Sequence, residues 1–294
     1  MRHLVIGASG LVGRHLYRLL KKNGEMVWGT YYRSPEPNLL YMDLVDFLKT
    51  RRTIMDIKPD VIYIAGAYTN VNACETDQGS YLVNVQGVKH VLDSAKQQER
   101  RPIVVFFSSN YVFPGTAGPY TEIDTVDPLN EYGRQKVYAE HCVLQYGPSL
   151  IVRTSWVYGV EPQAKNFVYQ VVRALQMKQP FPVADDQLGT PTYALELAEY
   201  VLTVVKCGTV GIVHLAGISM PRMAFANEIA REWRLDMKLL TPIPTANMRC
   251  NARRPLNGSL ESRGAPVLRP PTYHLAEMHE EMENTGFVRE GFSR

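Results

Sequence analysis

Residues 3–13 read HLVIGASGLVG, and the whole fold can be worked outward from them. A compact apolar run ends on Gly7, two more glycines follow at Gly10 and Gly13, and helical periodicity then runs through LVGRHLYRLLKKNG to Gly24. The pattern predicts a strand, a tight turn and a helix. Glycines at such a junction let the backbone approach a pyrophosphate, and the helix start offers that anion free N–H groups and a favourable dipole. The spacing is G-x-x-G-x-x-G rather than the commoner G-x-G-x-x-G, so the triplet alone would also suit a plain structural turn. Its place at the first strand-to-helix junction is what points to a dinucleotide.

Downstream, strand-like and helix-like stretches alternate. MVWGTYY, DVIYIAGA, PIVVFFSS and SLIVRTSWVYG read as strands, and LVDFLKTRRTIMDIK and YLVNVQGVKHVLDSAKQQ as helices between them. Alternation of this kind implies parallel βαβ units, and near-continuous apolar strands imply helices on both faces. The expected fold is α/β, a doubly wound parallel sheet of Rossmann type. After about residue 160 the rhythm loosens: helices are expected at 165–178, 193–206 and 221–234, GIVHLAG is one more strand, and TPIPT, RRPLNG and LRPPTY read as proline-rich loops. The expected division is a dinucleotide-binding domain over 1–160, its sheet completed by parts of 180–216, and a smaller loop-rich substrate-binding subdomain over 161–294.

The chain has 294 residues, 45% hydrophobic and 21% charged, enough for a full core. A net charge of +3, with short scattered basic pairs, speaks against a nucleic-acid partner. Cys74, Cys142, Cys207 and Cys250 are far apart, and the seven histidines are dispersed, so neither a disulfide framework nor a metal site is expected. The acidic stretch HEEMENTG reads as a solvated helix end. With no signal-peptide pattern and no membrane span, a cytoplasmic location without membrane association is expected.

One further pair carries chemistry. In PLNEYGRQKVYAE, Tyr132 and Lys136 stand four apart, on one face of a helix, but Tyr17 and Lys21 share that spacing. The wider set decides. GASGLVG, NVQGV, SSNYVFPG, PLNEYGRQK, VRTSWVYG, DQLGTPTYALELA and RRPLNGSLES resemble, in order, the motifs of extended short-chain dehydrogenases/reductases. The resemblance is strongest to the branch of dTDP-4-dehydrorhamnose reductases and related nucleotide-sugar 4-ketoreductases, and it spans residues 4 to about 262.

The resemblance implies a catalytic Ser109, Tyr132 and Lys136. Reduction of a ketone by hydride builds negative charge on the carbonyl oxygen, which needs a hydrogen bond and a proton. A phenol supplies both, and a neighbouring cation favours its anion. For the cofactor the resemblance implies Gly7, Ser9, Gly10, Leu11, Val12 and Gly13 in the turn. It adds Asp43 and Leu44 at the adenine, Ala65, Gly66, Ala67 and Tyr68 after the third long strand, then Asn84 and Lys136. The plain structural alternative for Asp43 is an N-cap of the helix starting near Val45, and one aspartate could serve both roles. No acid follows the second strand before Glu36, whereas Arg33 suits a 2′-phosphate, so NADP(H) is preferred and NAD(H) stays open.

Asn110, Tyr111, Trp156 and Arg254 are the implied substrate residues, the two aromatics as a wall against the sugar and Arg254 for a phosphate. Gln187, Thr190, Pro191 and Thr192 belong to a loop the family keeps near the site. Asn110 departs from the pattern, which carries aspartate there. The expected activity is reduction of a nucleotide-linked 4-keto-6-deoxyhexose, with a homodimer as the common assembly. An epimerase of the same superfamily stays open, and so does a regulatory subunit resembling that of methionine adenosyltransferase.

Overall fold

The computed structural model describes residues 1–284. Six strands of the main sheet are β1 (Arg2–Ile6), β2 (Met26–Tyr31), β3 (Leu39–Tyr41), β4 (Val61–Ile64), β5 (Ile103–Ser109) and β6 (Ser149–Thr154). Strand Gly211–His214 completes it, and the spatial order is Gly211–His214, β6, β5, β4, β1, β2, β3, with every pairing parallel. The order reverses between β1 and β4, and a doubly wound sheet opens a ligand crevice at that switch point.

Burial follows the pattern that parallel pairing demands. β4 and β6 are buried along their whole length, and helices α1 (Leu11–Lys22) and α2 (Phe47–Ile57) cover opposite faces. A third core gathers apolar residues from Tyr158 to Met282, including Phe225, Trp233 and Met278.

From the 180–216 stretch Gly211–His214 joins the main sheet, while Phe181–Ala184 pairs with Leu240–Ile243. Two expectations need correction. Asp43 does not cap α2: the helix begins two residues later than expected, and Asp46 accepts from the Lys49 N–H. Asp43 accepts from the Val45 N–H in the turn before it. LRPPTY, residues 268–273, is also less loop-like than its prolines suggest. Pro271 opens helix Pro271–Asn284, whose His274, Leu275, Met278 and Met282 are buried, and proline is well tolerated in a first helical turn. HEEMENTG extends beyond the described residues.

The helix Glu131–Tyr146 is tied to the sheet by a buried ion pair. Arg153 on β6 donates to both carboxylate oxygens of Glu140, at 3.0 and 2.7 Å, with both side chains almost wholly enclosed. Glu140→Ala would strand the Arg153 guanidinium in the core. The expected loss is about 3–5 kcal/mol of folding stability, read by urea unfolding.

Candidate active site

The turn after β1 is built by backbone contact. Gly7 has φ +83°, and a Cβ there would lie 2.5 Å from the Gly66 nitrogen at the end of β4. The β1 and β4 ends therefore meet closely, and Ala65 and Gly66 both donate to the Ile6 carbonyl. Gly10 differs: a Cβ on it would meet only the Gly7 carbonyl, and its outer side is open. It is the N-cap of α1 and offers no capping side chain, and the first turn holds no acid. The first-turn N–H groups of Leu11, Val12 and Gly13 have no intrahelical partner, so the cradle fits a pyrophosphate.

Around the crevice, Arg33 is exposed just past β2, with its guanidinium 5.6 Å from the Tyr32 ring centre. Glu36, the first acid after β2, is already paired with Arg14. Asp43 is half-buried and Leu44 buried, beneath the helix that contains Gly87. Asn84 lies in a π-helical stretch, Leu82–Gln86, and its amide is fully engaged. It accepts from the Tyr68 N–H and donates to the Tyr68 carbonyl and to Gln135. Its side chain thus fixes the segment after β4 against the helix that carries Tyr132.

β5 ends at Ser109, whose hydroxyl accepts from the Tyr111 N–H and caps the short turn Asn110–Val112. Asn130 caps the helix Glu131–Tyr146 by accepting from Gly133 N–H at 2.9 Å. Gly133 packs directly against the Tyr111 carbonyl, with no room for a Cβ. Ser109 and Tyr132 are brought together by this contact. Burial raises the phenol pKa and the Tyr111 phenol adds to the rise, while a hydrogen bond with Ser109 lowers it. At neutral pH the phenol keeps its proton.

Lys136 lies one turn further on, buried, donating to the Phe107 carbonyl at 2.9 Å. Its nitrogen is 5.7 Å from the centre of the Tyr132 ring, below the phenol rather than bonded to it. Burial pushes its pKa down to about 8, against an upward pull from Glu140.

A cavity of about 530 Å³ opens beside Ser109 and Tyr132. Its lining includes Lys165, Arg222 and Arg254, and no aspartate or glutamate. Three buried hydroxyls on its wall, Ser108, Thr154 and Ser155, have no hydrogen-bond partner. Arg254 donates to the Tyr111 hydroxyl at 3.0 Å and to Asn72 at 2.9 Å. Its loop is stitched to the catalytic ends: Asn130 donates to the Arg253 carbonyl, and Asn110 to the Gly258 carbonyl at 3.0 Å. An aspartate at 110 could not donate to that carbonyl when ionised, so Asn110 acts here as a clasp between β5 and the loop.

Of the remaining expected residues, Trp156 lines the cavity with φ +44°, a conformation unusual for a bulky side chain. Gln187 lines it too and donates to Thr245, while Thr190 and Thr192 are fully buried in their own loop. Arg222 and Phe167 were not expected. Arg222 starts a helix, with Phe225 and Ala226 where an i+3 or i+4 acid would signal an ion pair; nothing in the local pattern marks it. Among the described residues no group of three or more His, Cys, Asp or Glu could hold a metal, and no helix is long and apolar enough to cross a membrane.

The model of the RmlD substrate binding domain matches residues 1–281. The dTDP-4-dehydrorhamnose reductase of Aggregatibacter actinomycetemcomitans is 32% identical, over 88% of this chain and 90% of that protein. The dTDP-4-keto-6-deoxy-D-glucose reductase of Streptomyces niveus is 31% identical, over 86% of each. Among solved structures, the dTDP-4-dehydrorhamnose reductase of Bacillus anthracis in complex with NADP is 25% identical. It covers 95% of this chain and 99% of that one, with a TM-score of 0.85. With its parallel sheet, glycine cradle and match over almost the full length, this chain belongs to the RmlD substrate-binding-domain family of nucleotide-sugar oxidoreductases.

Proposed function

We propose that this protein reduces a nucleoside-diphosphate-linked 4-keto-6-deoxyhexose, dTDP-linked, at the expense of NADPH. The observation that carries the reading is the cavity itself: a serine–tyrosine pair at one wall and three cations with no acid around it. A keto sugar joined to a diphosphate matches both features, a carbonyl for the pair and an oxyanion for the guanidinium groups. The relatives' names point the same way, as does the NADP held by the Bacillus anthracis protein.

The chemistry follows from the residues. A bound nicotinamide supplies the hydride to the carbonyl carbon. Ser109 hydrogen-bonds the carbonyl oxygen and orients it, and Tyr132 gives its proton to that oxygen as charge develops there. The Lys136 ammonium beneath the phenol then offsets the charge left on Tyr132. Gly7, Gly10 and the first turn of α1 would hold the pyrophosphate, and Leu44 with Asp43 would flank the adenine. Arg33 would meet the 2′-phosphate, where an unpaired guanidinium is chemically suited.

The test is turnover with dTDP-4-keto-6-deoxy sugars and either cofactor. Wild type should consume NADPH in step with the sugar, which an epimerase that returns its hydride would not do. Arg33→Ala should raise the KM for NADPH about tenfold and leave that for NADH almost unchanged, an effect of the size of one charge-assisted contact. Absence of keto-sugar reduction in wild type would leave the epimerase reading if an epimerised sugar forms, and the regulatory-subunit reading if none does.

A further inference from the structure

Arg222 presents a cation with nothing to answer it. Its carbon centre lies 3.7 Å from the Phe167 ring centre and 4.4 Å from that of Trp156. Among the described residues the guanidinium has no hydrogen bond or ion pair; only its backbone N–H is used, by the Gln187 carbonyl. Aromatic faces hold a guanidinium by its plane and leave the edge donors unspent. Partial withdrawal from solvent and the nearby Arg254 charge press its pKa down to about 10, against an upward pull from the Tyr111 phenol, so the proton is kept at neutral pH.

Arg222 is half-buried and lines the cavity, so its unspent donors are available to an anion bound there. The backbone at Trp156 adds a second sign of construction, because its φ of +44° turns a bulky residue into the left-handed region. Gly189 packs so closely on the same indole that a Cβ would come within 2.5 Å of Cζ2. With Gly189 and Arg222 both lying against it, Trp156 is committed to holding the guanidinium.

We infer that Arg222 is a substrate-binding residue that pairs with an oxyanion of the nucleotide sugar, and that Trp156 is its holder rather than a wall for the sugar ring. The inference rests on the nucleotide-sugar reading above. The oxyanion has two chemical sources, the second phosphate of the diphosphate or a carboxylate on the sugar. With Arg254 already in the cavity, two guanidinium groups match the two charges of a diphosphate diester.

Calorimetric titration of the full chain separates these cases without turnover. Arg222→Met keeps an apolar stem between the two rings and removes the charge; Arg222→Gln is the second variant should the first not fold. Loss of roughly 10- to 100-fold in dTDP affinity, with dTMP within about twofold, assigns the second phosphate and supports the inference. Unchanged dTDP affinity with a comparable loss for UDP-glucuronic acid, but not for UDP-glucose, assigns the sugar carboxylate and also supports it. Unchanged affinity for all four, or a parallel loss that extends to uncharged thymidine, overturns it. Because only binding is read, a wild type that holds dTDP through Arg222 yet reduces no keto sugar would sink the proposed reaction and leave this inference standing.

Discussion

Tyr132→Phe will lower kcat for keto-sugar reduction by about 10²- to 10⁴-fold, the range that a positioned proton donor contributes. The substitution removes one oxygen and keeps the ring, which is packed edge-on against Tyr111 at 5.8 Å between ring centres. NADPH affinity should stay within about twofold, because the pyrophosphate cradle lies at the β1 and β4 ends and does not depend on the phenol. The pH dependence should also be one-sided. Burial holds the Tyr132 proton on well above the working range, so the phenol itself produces no loss of rate between pH 6 and 8. Stopped-flow measurement of NADPH consumption separates the chemical step from release. A Tyr132→Phe protein that retains full kcat would remove Tyr132 from the mechanism and leave Ser109 as the sole group at the oxygen.

The pair Tyr17 and Lys21 shows what sequence spacing can and cannot say. In the structure its cation sits 5.7 Å from the ring centre, the same separation as Lys136 from Tyr132. Spacing on a helix sets that distance in both cases. What differs is burial: Lys21 is exposed, whereas Lys136 is enclosed and bonded to a strand carbonyl. Burial arises from which strand the helix packs on, and a local pattern does not encode that directly.

The same division runs through the rest of the molecule. The parallel sheet was legible because its strands are continuously apolar, and the glycine cradle because close backbone approach admits no other residue at Gly7 or Gly13. β3 was not legible: its three residues, Leu39–Tyr41, are half-buried or exposed and carry no periodic signal. Asn110 stood out as a departure, but its bond to Gly258 joins positions 148 residues apart. Arg222 lacked even that mark, since its significance lies in two aromatic rings supplied by other segments.

Lys136→Met should separate activity from stability in opposite directions. The ammonium is charged below its folded pKa of about 8 and neutral above it. If the charge is what offsets the anion left on Tyr132 and what binds cofactor hydroxyls, kcat/KM for NADPH, which reports the free enzyme, should fall about tenfold per pH unit above about pH 8. Lys136→Met should lose that limb and show a low, flat profile, about 10²-fold or more below wild type at pH 7. Stability runs the other way. A lysine whose folded pKa is depressed from 10.5 to about 8 disfavours folding fully below pH 8, and the penalty fades as pH rises from 8 toward 10.5. Removing the amine therefore raises the thermal midpoint at pH 7 and changes it least near pH 10. A variant that is both less active and less stable at pH 7 would mean that the bond to the Phe107 carbonyl, and not the charge, is what the fold keeps Lys136 for.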